Sequence, residues 1–125
     1  MRILIVDDSA FARSFVIRAL KICGMESAEF AEAASGAAAI KLVETDDIDI
    51  VFTDLNMPDM SGEDLLKSIR SNPSYSKLPV VVVTSLDNQA KRDFLLKNKA
   101  TAVLGKPIVL SQLDQIIKNE INISG

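Results

Sequence analysis

The chain has 125 residues, 48% of them hydrophobic, and a formal net charge of −3, which fit one globular domain with a sizeable core. Its 14 Lys and Arg residues are dispersed, so neither a nucleic-acid interface nor a membrane-binding surface is expected. Histidine is absent, which excludes Ser/His and Cys/His catalysis and the usual zinc ligands. The single cysteine cannot form an internal disulfide, and no apolar run approaches the ~18 residues of a membrane span, so we expect a cytoplasmic protein.

Strand and helix patterns alternate five times, which predicts an α/β fold with helices on both faces of a parallel sheet. The runs near 2–6, 48–53 and 79–84 are almost continuously apolar, as expected for strands covered on both faces. The stretch near 27–32 alternates like an edge strand, and a fifth strand is predicted at 101–104. A doubly wound, five-stranded sheet in the order 2-1-3-4-5 accounts for this pattern.

Five helices are predicted from apolar residues at helical spacing and from capping residues. The first starts at Ser9 and stops at Gly24, and the third starts at Ser61 with the spacing of a capping box. In the fourth helix, Asn98 is expected to take the left-handed cap conformation. The other markers are Ser35 in helix two, Asn72-Pro73 after helix three, Ala90, Phe94 and Leu95 in helix four, and Leu113, Ile116, Ile117 and Ile121 in helix five.

Polar side chains follow four of the five predicted strands. Asp7 and Asp8 come after the first, Asp54 after the third, Thr84 after the fourth, and Lys106 after the fifth. Because the carboxyl ends of parallel strands share one edge, these groups are expected to converge in the crevice where ligands of such sheets bind. The sequence therefore predicts a site for a divalent cation and a phosphoryl group.

Three neighbouring carboxylates repel one another unless a cation compensates, and Mg²⁺ suits oxygen ligands of this kind. From the residues alone, Asp54 is a candidate metal ligand, base or nucleophile. As a nucleophile it would form an acyl phosphate. Mg²⁺ would then hold one equatorial phosphoryl oxygen, the Lys106 ammonium a second, and the Thr84 hydroxyl together with a backbone N–H the third. Singly, each residue also fits a plain role as a turn, cap, strand or surface residue.

In combination, these motifs resemble the receiver domains of two-component response regulators, and in particular the stand-alone, CheY-like chemotaxis regulators. CheY is itself a known example of the flavodoxin-like order 2-1-3-4-5. The resemblance spans nearly the whole chain and implies a single receiver domain over residues 1–125. The motifs are Val6-Asp7-Asp8-Ser9, the segment from Asp54 to Gly62, Thr84-Ser85 and Lys106-Pro107.

The resemblance implies that Asp54 is the phosphoacceptor. Asp8 and Asp54 would bind Mg²⁺ directly, Asp7 mostly through water, and Asn56 through its backbone carbonyl. A partner histidine kinase or phosphotransfer protein would supply the phosphoryl group, since the chain has no histidine of its own. The implied function is that of a phosphorylation-dependent switch rather than an enzyme, although the protein would assist its own Mg²⁺-dependent phosphorylation and dephosphorylation.

The resemblance also assigns the switch residues. Thr84 matches the hydroxyl that moves toward the phosphoryl group, Lys106 matches the lysine that pairs with it, and Pro107 is a candidate for a cis peptide bond. Val103 stands where many receivers carry Tyr or Phe, so an aromatic toggle is not expected here.

Output is expected through the face formed by helix four, strand five and helix five, toward a downstream protein. Helix four carries Lys91, Arg92, Lys97 and Lys99, which predict a basic rim for an acidic partner or, alternatively, an ordinary solvated face. Signalling is expected to draw Thr84 inward and shift the loop Ser85-Leu86-Asp87. We expect a monomer.

Two alternatives stay open at this stage. A phosphatase of the haloacid dehalogenase class also uses a strand-end aspartate and magnesium, but it would need a second acid where this chain has Asn56. A pseudo-receiver would bind partners without phosphorylation, but such proteins usually lack one of the acidic or lysine positions, all of which are present here. The sequence names neither the kinase nor the target.

Overall fold

Five parallel strands form one sheet in the computed structural model, which describes residues 1–85 and 88–120. The order β2-β1-β3-β4-β5 and the parallel pairing confirm the predicted doubly wound sheet with β2 at an edge. The strands are β1 (Arg2–Val6), β2 (Glu29–Ala33), β3 (Ile50–Asp54), β4 (Val80–Thr84) and β5 (Ala102–Gly105).

Helices alternate with these strands, as the sequence predicts. They are α1 (Ala10–Leu20), α2 (Gly36–Thr45), α3 (Gly62–Ser71), α4 (Gln89–Lys97) and α5 (Leu110–Gln115). Wider helical turns extend α1 over Lys21–Met25 and α5 over Ile116–Glu120, and a short 3₁₀ turn spans Pro73–Tyr75. The predicted marker Ile121 lies outside the described residues.

Helices α1 to α4 begin where a polar side chain accepts a hydrogen bond from the first turn, whereas Val109 precedes α5 without a side-chain cap. Ser61 Oγ, for example, accepts from the Asp64 N–H at 3.1 Å. This bond satisfies one of the backbone donors that a helix start leaves without an intrahelical partner. Equivalent caps are Ser9 to Ala12, Ser35 to Ala38 and Asn88 to Lys91.

The end of α4 differs by one residue from the prediction. Asn98 has φ −86°, and Lys99 takes the left-handed conformation at φ 72°. The Lys99 N–H donates to Leu96 O at 2.9 Å and the Ala100 N–H donates to Leu95 O at 3.0 Å, which is the bond pattern of a Schellman motif. Asn98 instead donates its side-chain amide to a carbonyl of the last helical turn, so the expectation of a left-handed Asn98 was wrong.

Alternate residues of the central strands pack into two separate cores. In β1, Ile3 and Ile5 contact the core beneath α1 and α5, whereas Leu4 and Val6 contact the core beneath α2, α3 and α4. Fully burying one such side chain stabilises the fold by about 1.5–3 kcal/mol. Because both faces are covered, the central strands form a rigid platform whose carboxyl edge carries the polar residues.

The start of α3 lies directly against the end of β3. The Gly62 N–H donates to Leu55 O at 2.7 Å, and a Cβ at Gly62 would lie 2.4 Å from Asp54 O and 2.9 Å from Leu55 Cα. These neighbours are backbone atoms and cannot rotate away. A glycine is therefore required for α3 to approach the strand end so closely.

We expect Gly62→Ala to lower the free energy of unfolding by about 1–3 kcal/mol, the usual cost of overpacking. Urea denaturation measures this change. The matched control is Ser68→Ala at an exposed position of the same helix, which should change stability by no more than about 0.5 kcal/mol. Equal midpoints for Gly62→Ala and the wild-type protein would contradict the close approach.

Candidate functional site

The strand ends bring the predicted site residues to one edge of the sheet. Asp54 is the last residue of β3 and pairs in register with Val83, next to Thr84 at the end of β4. Asp7 and Asp8 directly follow β1, and Lys106 directly follows β5. The site thus draws on four strands, and β2 contributes no charged group at its carboxyl end because Ala33 ends it.

The three aspartates form a cluster at this edge. One carboxylate oxygen from each of Asp7, Asp8 and Asp54 lies within 4.8 Å of the others. Asp7 is buried, Asp54 is partly buried and Asp8 is exposed, so the cluster opens to solvent on the side of Asp8. Water does not fully screen the repulsion among these charges, because two of the three carboxylates are removed from bulk solvent.

Lys106 supplies one compensating charge. Its Nζ lies 3.2 Å from Asp54 Oδ1 and 3.5 Å from Asp7 Oδ2. Three carboxylates against one ammonium leave an excess of two negative charges. A hard divalent cation with oxygen ligands matches both this excess and the donor set, so the cluster fits Mg²⁺.

Asp7 is held firmly by its backbone and its side chain. Its N–H donates to Ala33 O at 3.1 Å, which continues the β1–β2 pairing beyond the strand. Its Oδ1 accepts from the Ser9 N–H at 2.9 Å, at the start of α1. Its carbonyl accepts from Arg13 Nη1 at 2.6 Å. The turn that carries Asp7 and Asp8 is therefore fixed to both β2 and α1.

The loop between β3 and α3 is tied to α2 through Asp59. The Asp59 carboxylate accepts hydrogen bonds from the N–H groups of Gly36 and Ala37, each at 3.3 Å. Desolvation raises the pKa of Asp59, but these and other backbone N–H bonds outweigh it, and the pKa is lowered. The sequence analysis missed this cap, although a carboxylate is the group that a helix start prefers.

Other residues of this loop lie partly against the core and partly in solvent. Met57 and Met60 pack against the core beneath α2 and α3. Asn56 lies two residues after Asp54 and is exposed. Its predicted role as a carbonyl ligand stays a prediction.

Thr84 and Lys106 are connected through their backbones. Thr84 is fully buried, and its carbonyl accepts from the Lys106 N–H at 3.0 Å. The Lys106–Pro107 peptide bond is cis. Val103 is 5% exposed and belongs to the core beneath α4. Leu86 and Asp87, of the loop that is expected to shift on signalling, lie outside the described residues.

Two of the four basic residues predicted for helix four contact other parts of the domain, and one of the four, Lys99, lies just beyond the end of α4. Lys91 forms an ion pair with Glu63 at the start of α3, and Arg92 Nη1 donates to Val103 O at 3.0 Å. Lys97 and Lys99 are exposed. The predicted basic rim therefore consists of fewer available charges than the sequence indicates, because long side chains reach neighbouring elements.

A groove of about 370 Å³ lies between α4, β5 and α5, on the predicted output face. Arg92 and Leu96 line it from α4, Val103 from β5, and Gln112 from α5.

Within residues 1–85 and 88–120, no helix is long and apolar enough to cross a membrane.

Comparison with known proteins identifies the family. Residues 3–118 match the model of the response regulator receiver domain. The chain is 36% identical to chemotaxis protein CheY-3 of Vibrio cholerae over 118 residues, which cover 92% of this chain and 87% of the relative. It is 35% identical to chemotaxis protein CheY of Pseudomonas aeruginosa over 121 residues, which cover 97% and 93% of the two chains.

Solved structures agree. The fold matches chemotaxis protein CheY4 of Vibrio cholerae with a TM-score of 0.82 and 28% identity, over 95% of this chain and 97% of that chain. A response regulator receiver domain protein of Clostridium thermocellum matches with a TM-score of 0.81 and 28% identity, over 97% and 94% of the chains. The chain therefore belongs to the response regulator receiver domain family, the phosphoacceptor family of two-component signalling.

Proposed function

We propose that this protein is a phosphorylation-dependent switch in which Asp54 accepts a phosphoryl group from the phosphohistidine of a partner histidine kinase or phosphotransfer protein. One observation carries the proposal: the Asp54 carboxylate ends a buried strand, contacts Lys106 at 3.2 Å and lies in the three-aspartate cluster. The chain has no histidine, so the donor must be another molecule.

The proposed reaction follows from this geometry. An Asp54 carboxylate oxygen attacks phosphorus, the bond from phosphorus to the donor nitrogen breaks, and the nitrogen keeps the electron pair. Phosphoryl transfer needs positioning and charge neutralisation more than a base. Lys106, which contacts Asp54, is proposed to pair with one phosphoryl oxygen, and the buried Thr84 is proposed to direct its hydroxyl to another.

Asp8 and Asp54 are proposed to hold Mg²⁺ directly, Asp7 mostly through water, and the Asn56 backbone carbonyl would complete the protein ligands. The excess of two negative charges in the cluster supports this assignment. When bound, Mg²⁺ supplies charge neutralisation for the phosphoryl group. The fixed Asp7 turn and the rigid β3 end would keep the carboxylates in place as the charge at Asp54 changes.

The two alternatives are less well supported. A haloacid dehalogenase phosphatase needs an acid at the position of Asn56, and the chain belongs to the receiver family. A pseudo-receiver would not require three aspartates clustered at one edge with a lysine paired to two of them. Turnover of phosphate monoesters would favour the first alternative, and the lack of any adduct on Asp54 would favour the second.

The proposed output is a change in the face formed by α4, β5 and α5. Its groove and the exposed Lys97 and Lys99 fit a protein partner with an acidic surface. The relatives named as chemotaxis proteins favour chemotaxis as the pathway. We further propose that residues 1–125 act as a single, monomeric receiver domain in the cytoplasm.

Removing one carboxylate tests the proposed metal site. We expect Asp8→Asn to melt at a higher temperature than the wild-type protein in EDTA, because it relieves repulsion within the cluster. Its stabilisation by added Mg²⁺ should be smaller, because a ligand is lost. Thermal melts with EDTA and with Mg²⁺ measure both effects. Glu44→Gln, at an exposed position of α2, is the control and should change neither value.

Equal melting temperatures for Asp8→Asn and the wild-type protein in both solutions would refute the metal assignment.

Chemical phosphorylation tests the acceptor. Acetyl phosphate with Mg²⁺ should add one acid- and hydroxylamine-sensitive phosphoryl group, because an acyl phosphate needs only a positioned carboxylate and metal. Asp54→Asn should abolish the adduct, and Lys106→Ala should accept it more slowly. Intact-mass spectrometry and peptide mapping read the result. Asp64→Asn, at an exposed position of α3, is the control and should be phosphorylated normally. An adduct mapped to Thr84 or Ser85 would overturn the assignment.

Amide hydrogen exchange with a beryllofluoride mimic of the phosphoryl group tests the output route. Protection changes should concentrate in residues 84–98, because Thr84 would move toward the mimic and displace the start of α4. Asp54→Asn with the same reagent is the control and should show no change. If the changes occur only at residues 54–61, output through α4 is wrong.

A further inference from the structure

Arg13, on the second turn of α1, makes two hydrogen bonds that the proposed phosphotransfer chemistry does not use. Its Nη1 donates to the backbone carbonyl of Asp7 at 2.6 Å, and its Nε donates to Glu32 Oε1 at 2.9 Å. The Arg13 side chain is only 15% exposed, whereas that of Glu32 is 46% exposed. A guanidinium is planar and rigid, so two bonds in different directions fix its position.

The carbonyl that Arg13 binds belongs to the peptide unit joining Asp7 to Asp8. The N–H that precedes this unit, on Asp7, is bound to Ala33 O, and the N–H that follows it, on Ser9, is bound to Asp7 Oδ1. With the Arg13 bond added, the orientation of this peptide unit is fixed on both sides. That orientation sets the direction in which Asp8, the exposed carboxylate of the cluster, projects.

We propose that Arg13 is a positioning residue for Mg²⁺ binding: it orients the Asp7–Asp8 peptide so that Asp8 completes the cluster, and Glu32 holds the guanidinium in place. The inference rests on the proposed metal site and concerns how that site is maintained. Groups that orient metal ligands typically contribute about 10–100-fold to metal affinity.

Charge and positioning predict opposite results at this residue, which makes the proposal testable. Arg13 carries a positive charge close to the cluster, so removing that charge alone should strengthen binding of a divalent cation. Losing the positioning bond should weaken it. Arg13→Gln removes both, and Arg13→Lys keeps the charge but cannot donate in the same two directions.

The experiment is titration calorimetry with Mg²⁺ alone at fixed ionic strength, together with thermal melts in EDTA. We expect both Arg13→Gln and Arg13→Lys to bind Mg²⁺ about 10-fold more weakly than the wild-type protein, the lower end of the usual range. Glu32→Gln should cause a smaller loss. With acetyl phosphate, the Arg13 variants should need more Mg²⁺ for half-maximal phosphorylation but reach the wild-type rate at saturation.

Arg2→Gln is the matched control, because Arg2 and Glu29 form a similar pair between β1 and β2 at the opposite end of the strands, at 2.7 Å. It should lower the melting temperature in EDTA without changing Mg²⁺ affinity. Unchanged or tighter Mg²⁺ binding by both Arg13 variants, or an equal loss in Arg2→Gln, would overturn the proposal. Unchanged affinity in Glu32→Gln would overturn the role of Glu32. If the wild-type protein binds no Mg²⁺, the metal site itself is wrong.

Discussion

Repulsion among three carboxylates at one edge of a buried sheet is the constraint on which the rest of this structure depends. Asp7 and Asp54 are largely removed from solvent, so their charges must be met within the protein. Lys106 meets part of the charge, and the remainder favours a divalent cation. Such a cluster persists only where the backbone that carries it is held rigidly. The two cores that pack against β1 and β3 hold these strands in place. The packing of the sheet thus offsets the unfavourable repulsion among the carboxylates at this edge.

Much of this arrangement could be predicted because it depends on local sequence. Continuous apolar runs are typical of strands with both faces covered, and their ends lie where polar residues begin. Parallel pairing then places those ends at one edge, so that Asp7, Asp54 and Lys106 meet although they are distant in the chain. Serine caps are similarly local, since each contacts a backbone N–H three residues away. Both kinds of signal are readable without knowledge of the tertiary contacts.

Most of the contacts that escaped prediction join distant elements through their side chains. Asp59 caps α2 across 22 residues, and Lys91 reaches Glu63 across 28 residues. Arg13 binds Glu32 on another element, so its second-turn position on α1 gave no sign of the partner. Even the end of α4 was displaced by one residue, because Asn98 uses its amide within the helix and leaves the left-handed position to Lys99. Hydrophobic periodicity and capping residues do not indicate which residues such side chains contact.

The contacts of Lys106 and Arg92 bear on how a charge change at Asp54 would spread. Lys106 contacts both Asp54 and Asp7, and its N–H binds the carbonyl of Thr84, so the ends of β4 and β5 respond together to the position of the ammonium. Arg92 on α4 binds the Val103 carbonyl of β5, which links the same strand to the proposed output face. The Lys106 contacts and the Arg92 bond, joined by the backbone of β5 between Val103 and Lys106, thus connect the proposed acceptor to α4. This connection uses the carbonyl of Val103 and not its side chain.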